Sequence, residues 1–232
     1  FDEGQDPNDA VKWLRDLLRY FAFSDRERLA VQIAAMLTIY CKGLYHGRSP
    51  MILWNSNLAG SGKSRLSQLA LDPVYGSAGK SGFSYESREE VKKELDAAAQ
   101  IYAPYVWFDD VPKGTIRNTD LNRWLTAKTW SCRVLGTKNL FKGPVMAATF
   151  MTGAQIELDA MIARRTLVVD LFPRQKSRNR ELPEDAIPLN DDFCEGAGMR
   201  GKILAAMWAL VRNWDDLGRP GLAVLPDLQD EA

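Results

Sequence analysis

A mixed α/β fold built on a mainly parallel sheet is what this sequence predicts, and three observations carry that reading. Short apolar runs of strand length, at Met51 to Trp54, Tyr105 to Phe108, Val145 to Thr152 and Thr166 to Phe172, alternate with segments of helical periodicity. The first run passes at once into a glycine-rich turn and a new helix near Lys63. The second ends in two adjacent carboxylates, Asp109 and Asp110. Strands that alternate with helices in this way close as a parallel sheet covered on both faces.

Taken in order, Asn8 to Phe21 places Val11, Leu14, Leu17, Leu18 and Phe21 near helical spacing, with Asn8 as the N-cap. Ser24 with Glu27 forms a capping-box pattern, and the apolar helix behind it runs to Gly43. After the strand and helix around Lys63, Tyr75 to Tyr85 is a loop rich in Gly, Ser and Tyr. Ser87 and Glu90 make a second capping box that opens a helix to about Gln100. A helix near Asp120 to Thr126 follows. Cys132 to Leu135 and Val145 to Thr152 are then predicted as strands flanking Gly136 to Gly143, a hairpin with a basic tip. Pro173 to Pro188 is polar, charged and proline-bearing and is predicted as a loop or linker. The last helix, Gly201 to Trp214, sets Ile203, Leu204, Met207, Leu210, Val211 and Trp214 on one face. The expected division is an N-terminal helical segment over residues 1–48, a core over 49–173, and a loop, helix and tail over 174–232.

Composition bounds the function classes. The chain has 232 residues, 46% of them apolar and 26% charged, which excludes disordered and collagen-like classes and predicts one large core. Thirty Lys and Arg balance thirty Asp and Glu, so nucleic-acid contact requires a local patch. Three separated cysteines, Cys41, Cys132 and Cys194, give neither a disulfide framework nor a metal knuckle, which points to a reducing compartment. No apolar run approaches the roughly 20 residues that span a bilayer, and no signal-peptide pattern opens the chain. A soluble cytoplasmic protein without membrane contact is expected. A chain that starts at Phe1 and stops in the acidic stretch Pro226 to Ala232 is expected to be an excised domain. His46 is the single histidine and has no nucleophile pattern beside it, so a loop role is expected. Trp107, Trp124, Trp208 and Trp214 are expected in the core, and Cys132 buried and inert.

The glycine-rich turn carries the sharpest chemistry. Asn57, Leu58, Ala59, Gly60, Ser61, Gly62, Lys63 and Ser64 match the phosphate-loop pattern GxxxxGK[ST] except that Asn57 replaces the first glycine. Between a strand and a helix, the backbone N–H groups from Ala59 to Arg65 converge with the helix N-terminus on nucleotide phosphates. Lys63 would reach the β- and γ-phosphates and Ser64 would bind magnesium. The alternative is a plain strand-to-helix turn that needs glycines for its geometry. Phosphate-loop enzymes also need an acid for the magnesium shell and another for the attacking water, and Asp109 and Asp110 lie 45 residues or so further on at a strand end. Alone, such a pair reads as a turn or cap signal. Thr152 to Gln155 ends the next strand with polar groups. The pair Arg164 and Arg165 would either stabilise transition-state charge or be a solvated basic pair.

In their order and spacing these elements resemble the AAA+ superfamily, more narrowly the superfamily 3-type helicase domain of phage and mobile-element primase-helicase replication proteins. The resemblance extends over Asp120 to Gly136, Thr152 to Ile156, Asp159 and the Arg164–Arg165 pair. It implies an AAA+-like P-loop NTPase core with a parallel sheet, N-terminal helices before the P-loop strand and a C-terminal helical segment. It implies ATP and Mg2+ as cofactors, with Lys63 on phosphate, Ser64 and Asp109 on magnesium and Asp110 on water. Gln155 would serve as polar sensor beside Ala154, with Thr152 in reserve, and Arg165, supported by Arg164, as the finger that reaches a neighbour's nucleotide. A homo-oligomeric ring, commonly a hexamer, follows from that role. Lys138, Asn139, Phe141 and Lys142 would line its channel and hold single-stranded DNA. Other replication domains of a parent protein, and a bacterial host cytoplasm, complete the implied setting. A nucleotide-gated assembly or remodelling module without unwinding activity is the alternative from another class, and a small-metabolite kinase a third.

Overall fold

The computed structural model describes residues 2–44, 48–76, 85–134, 136–175, 181, 183–187, 189, 193–195 and 198–221. The helices are α1 (Pro7–Leu18), α2 (Arg26–Tyr40), α3 (Lys63–Tyr75), α4 (Arg88–Gln100), α5 (Thr119–Thr126), α6 (Ala160–Ala163) and α7 (Met199–Asp216). The strands are β1 (Met51–Ser56), β2 (Tyr105–Val111), β3 (Gly114–Ile116), β4 (Thr129–Arg133), β5 (Leu140–Pro144), β6 (Ala148–Gly153), β7 (Ile156–Leu158) and β8 (Thr166–Leu171).

Four strands form the central sheet in the order β2-β6-β1-β8, every pair parallel. Period-two alternation sorts their side chains into two cores. Ile52, Trp54, Phe150, Val169 and Leu171 face a cluster built with α1, α2, α3 and α7. Met51, Leu53, Val106, Phe108 and Met151 face a second cluster with α4, α5 and the β4–β5 pair. The parallel α/β architecture is therefore as the sequence predicts, with both sheet faces covered.

Each core buries a tryptophan whose indole N–H is satisfied. Trp54 Nε1 donates to Gln32 Oε1 at 2.6 Å, and Gln32 Nε2 donates to the Leu66 carbonyl at 3.0 Å. Gln32 thereby ties α2 to the strand before the loop and to the helix after it. On the other face Trp124 Nε1 donates to Thr149 Oγ1 at 3.1 Å. Gln32→Leu removes both partners from fully buried groups and is expected to destabilise the fold by about 1–3 kcal/mol, measured by urea unfolding.

Local differences from the sequence reading have identifiable causes. Helix α1 begins at Pro7, and its cap is Asp6, which accepts from the Asn8 and Asp9 amides, because proline at the first helical position needs no amide partner. In α2 the cap is Asp25, accepting from the Arg28 amide at 2.9 Å, and the Ser24 hydroxyl donates to that carboxylate instead of capping the helix. Ser87 caps α4 as expected, accepting from the Glu90 amide at 3.2 Å. The hairpin is β4 with β5, antiparallel from Thr129↔Pro144 to Arg133↔Leu140, whereas Ala148 to Gly153 belongs to the central sheet. The apolar run that begins at Val145 thus covers the connection after β5 and then β6. On α7 the buried face is Ile203, Ala205, Ala206, Met207 and Ala209, while Trp214 is 46% exposed and donates to the Pro220 carbonyl. Cys132 is buried and its thiol is pushed above its ordinary value by burial, as an inert cysteine requires. His46, Leu135 and residues 77–84 of the expected Tyr75 to Tyr85 loop lie outside the described residues, as does much of the Pro173 to Pro188 stretch. Among the described residues, no helix is long and apolar enough to cross a membrane.

Candidate functional site

The turn from Ser56 to Lys63 joins the C-terminal end of β1 to α3. Gly60 and Gly62 hold left-handed backbone, φ 68° and 102°, which a side chain would resist. Asn57 is outside the left-handed set, so the first position of this loop does not need the glycine that the motif usually places there. Its backbone amide donates to the Leu171 carbonyl at 3.4 Å, and its Nδ2 to the Pro173 carbonyl at 3.4 Å. Helix α3 starts at Gly62 without a side-chain cap, which leaves its first amides for an anion. Lys63, only 6% exposed, donates from Nζ to Ser56 Oγ at 3.3 Å and Ser61 Oγ at 3.5 Å. Burial pushes its ammonium below the ordinary value, and the negative charges of Asp110 and Asp109 oppose that fall. Ser64 is exposed on the first turn, and the Arg65 guanidinium lies 5.8 Å from the Phe193 ring centre.

Two neighbouring strands break together beside this loop. The β2–β6 ladder shifts register between Phe108 and Val111, where Asp110 has φ 49°. β6 ends at Gly153, and Gln155 has φ 57°. Pairing resumes beyond the break as β3 with β7, also parallel. A Cβ at Gly153 would lie 2.6 Å from Ile156 and 2.9 Å from the Val111 carbonyl, so the close approach of the two strands needs glycine there. The break presents both acids. Thr152 Oγ1 donates to Asp109 Oδ1 and accepts from the Asp110 amide at 2.8 Å, so one buried hydroxyl orients the pair. Asp109 is half-buried and Asp110 exposed.

Gln155 braces the loop. Its amide donates to the Ser56 carbonyl at 2.8 Å, and its Nε2 to the Asn57 carbonyl at 3.2 Å. Asn55 works from the other side, with Ile156 N donating to its Oδ1 at 3.0 Å and its Nδ2 donating to the Ile156 carbonyl at 3.3 Å. Ser61 and Lys63, Asp109 and Asp110, and Thr152 and Gln155 therefore meet at one end of the sheet.

The arginines lie at the other end. Arg165 immediately precedes β8, its carbonyl accepting from the amide of Met51 at the start of β1. Six residues of β1 separate that level from the loop, about 17 Å of strand. Arg165 Nη1 donates to the Met161 carbonyl, and Arg164 Nη2 approaches Met161 Sδ at 3.6 Å. Neither is brought to this chain's own loop. The hairpin residues also divide. Lys138 and Asn139 sit in the turn, and Lys142 pairs with Ser131 on the outward face. Phe141 pairs with Cys132 on the inward face, its ring 5.8 Å from Tyr102, which corrects its placement at the tip. The alternation of the ladder decides this, since Cys132 and Trp130 are buried. Leu140, unremarked in the sequence, is 68% exposed on the outward face.

Among the described residues, no three His, Cys, Asp or Glu side chains gather as a metal site. Ser64 and Asp109 nevertheless suit a hard cation that takes its remaining ligands from phosphate and water, because Thr152 fixes the rotation of the Asp109 carboxylate.

The fold has a solved counterpart. The apo A-form structure of the NrS-1 C-terminal region matches with a TM-score of 0.51 at 15% identity, over 88% of this chain and 44% of that one. A crystal structure of JCV helicase with a thiazolopyridinyl-phenoxyphenyl acetamide bound matches with a TM-score of 0.44 at 15% identity, over 94% of this chain and 64% of that one. This chain thus spans less than half of the first and under two thirds of the second. No protein-family description matches the sequence, and no curated protein does.

Proposed function

We propose that this chain is the ATP-hydrolysing motor domain of a replicative DNA helicase of the primase-helicase kind, AAA+-like and acting as a ring on single-stranded DNA. The paired strand break that gathers Asp109, Asp110, Thr152 and Gln155 around the loop of Lys63 carries this reading. The fold-level likeness to the NrS-1 C-terminal region supports it. Residues 49–173 are the ATPase core in this proposal. Residues 1–48 and 174–232 flank it, and other replication domains of a larger protein act with it.

The loop amides and Lys63 would hold the phosphates, and Ser64 with Asp109 would hold Mg2+, which when bound neutralises charge on the β- and γ-phosphates. Asp110, exposed and aimed by its left-handed backbone, orients the attacking water and takes its proton on a carboxylate oxygen. Arg165 completes the site of an adjacent protomer. Lys138, Asn139 and Lys142 draw the DNA backbone to the exposed hairpin.

Steady-state ATP hydrolysis with Mg2+, measured with and without single-stranded DNA at several protein concentrations, tests the proposal. Turnover should rise with concentration and with DNA and vanish in Lys63→Ala. Lys138→Ala combined with Lys142→Ala should keep basal turnover and lose the DNA stimulation; retained stimulation removes the hairpin from the DNA path. ATP binding without turnover, even with flanking domains restored, would make the chain a nucleotide-gated assembly module instead.

A further inference from the structure

We infer that Phe21 is a platform for the base of the bound nucleotide and gives the site a preference for purine nucleoside triphosphates over bare polyphosphate. The inference rests on the reading of the Lys63 loop as a phosphate site. After α1 the chain turns, Phe21 N donating to the Leu18 carbonyl at 3.1 Å, and runs antiparallel beside the end of β8. Phe172 N donates to the Ala22 carbonyl at 2.7 Å, Ser24 N to the Asp170 carbonyl at 3.1 Å, and Phe23 bridges Leu171. The Leu171 carbonyl accepts from Asn57 N in the loop, so this segment and the loop are anchored on one residue.

That anchoring places the Phe21 ring on Gly62. A Cβ at Gly62 would stand 3.2 Å and 3.4 Å from two ring atoms. Glycine there therefore serves twice, turning the chain and admitting the ring beside the start of α3. Phe21 is only half-buried, and Phe23 stands beside it with ring centres 6.2 Å apart and planes at 49°. A partly open aromatic surface next to a phosphate-binding turn offers stacking to any flat base, and the larger purine surface gains more from it. Ring packing alone would explain burial of one side of Phe21; it leaves unexplained why an aromatic is held open at the loop.

The experiment is equilibrium binding of ATP, CTP and inorganic tripolyphosphate to the full chain and to Phe21→Leu, Phe21→Trp and Lys63→Ala. Leucine retains apolar packing on Gly62 while removing the aromatic face. Phe21→Leu should weaken ATP about tenfold, weaken CTP less, and leave tripolyphosphate within about twofold, while Phe21→Trp should hold ATP at the unaltered affinity. Equal loss of ATP and tripolyphosphate in Phe21→Leu would assign the ring to loop packing and overturn the inference. Unchanged ATP binding in Phe21→Leu would also overturn it, leaving the phosphate site intact. A chain that binds neither ATP nor tripolyphosphate, indistinguishably from Lys63→Ala, would remove the phosphate site itself and the inference with it.

Discussion

Mixing the Lys63→Ala chain with the Arg165→Ala chain is expected to restore ATP turnover that neither variant shows alone. Arg165 immediately precedes β8, a strand's length from the loop that follows β1, so it does not reach its own chain's loop. In the proposed mechanism each variant alone should lose at least about 10³-fold in kcat, since Lys63 would neutralise phosphate charge and an arginine finger contributes on that scale. In the proposed ring a mixed assembly would form a productive site where the Arg165→Ala protomer supplies the loop and the Lys63→Ala protomer supplies the finger. Random assembly of equal amounts makes about a quarter of the interfaces productive. Coupled-assay rates across mixing ratios should peak near equal proportions. A mixture as inactive as its components would mean that the site does not form between chains.

Thr152→Val tests the opposite arrangement, in which a single hydroxyl within one chain sets both acids. Valine keeps the shape, but Asp109 loses its donor and the Asp110 amide its acceptor. The Mg2+ concentration for half-maximal turnover should rise about 10–100-fold, as it does when the partner of a metal-holding carboxylate is removed. Thr152→Ser should stay near the unaltered value, since it keeps the hydroxyl. Thr152 is buried beside Trp54 in the β1–β6 ladder, so thermal melts are needed in parallel. An unchanged Mg2+ requirement with an unchanged Tm would show that Asp109 needs no orienting group.

How far the sequence reached can be followed residue by residue. Strand and helix order, the glycine-rich turn and the paired acids were legible because each is a local pattern. Ser87 with Glu90 and Ser24 with Glu27 show where local patterns stop: the spacing is the same, yet the first pair caps its helix and the second gives way to Asp25, one residue closer to the helix. The hairpin was misdivided because Lys142 and Gly143 look like a turn although they pair with Ser131 and Trp130. The pairing depends on α4 covering Trp130 and Cys132, which no local window contains. The same holds for the site. Thr152 carries no mark that it will hold Asp109, and Phe21, readable only as an apolar helix position, reaches Gly62 because residues 22–24 bind β8 about 150 residues later.

The kink at Asp110 has a second consequence, for the margins of the sheet. β2 and β8 are the outermost strands, and exposed margins invite pairing with other chains. β8 is occupied along 170–172 by residues 22–24. β2 has no such cover from a strand among the described residues, but its register shifts after Phe108 and its backbone turns left-handed among carboxylates, which spoils it as a template for an incoming strand. The loop-side ends of both outer strands are thus poor templates for an incoming strand, β8 because residues 22–24 occupy 170–172 and β2 because its ladder is irregular beyond Phe108, so lateral sheet growth is discouraged at the end of the sheet that carries the loop.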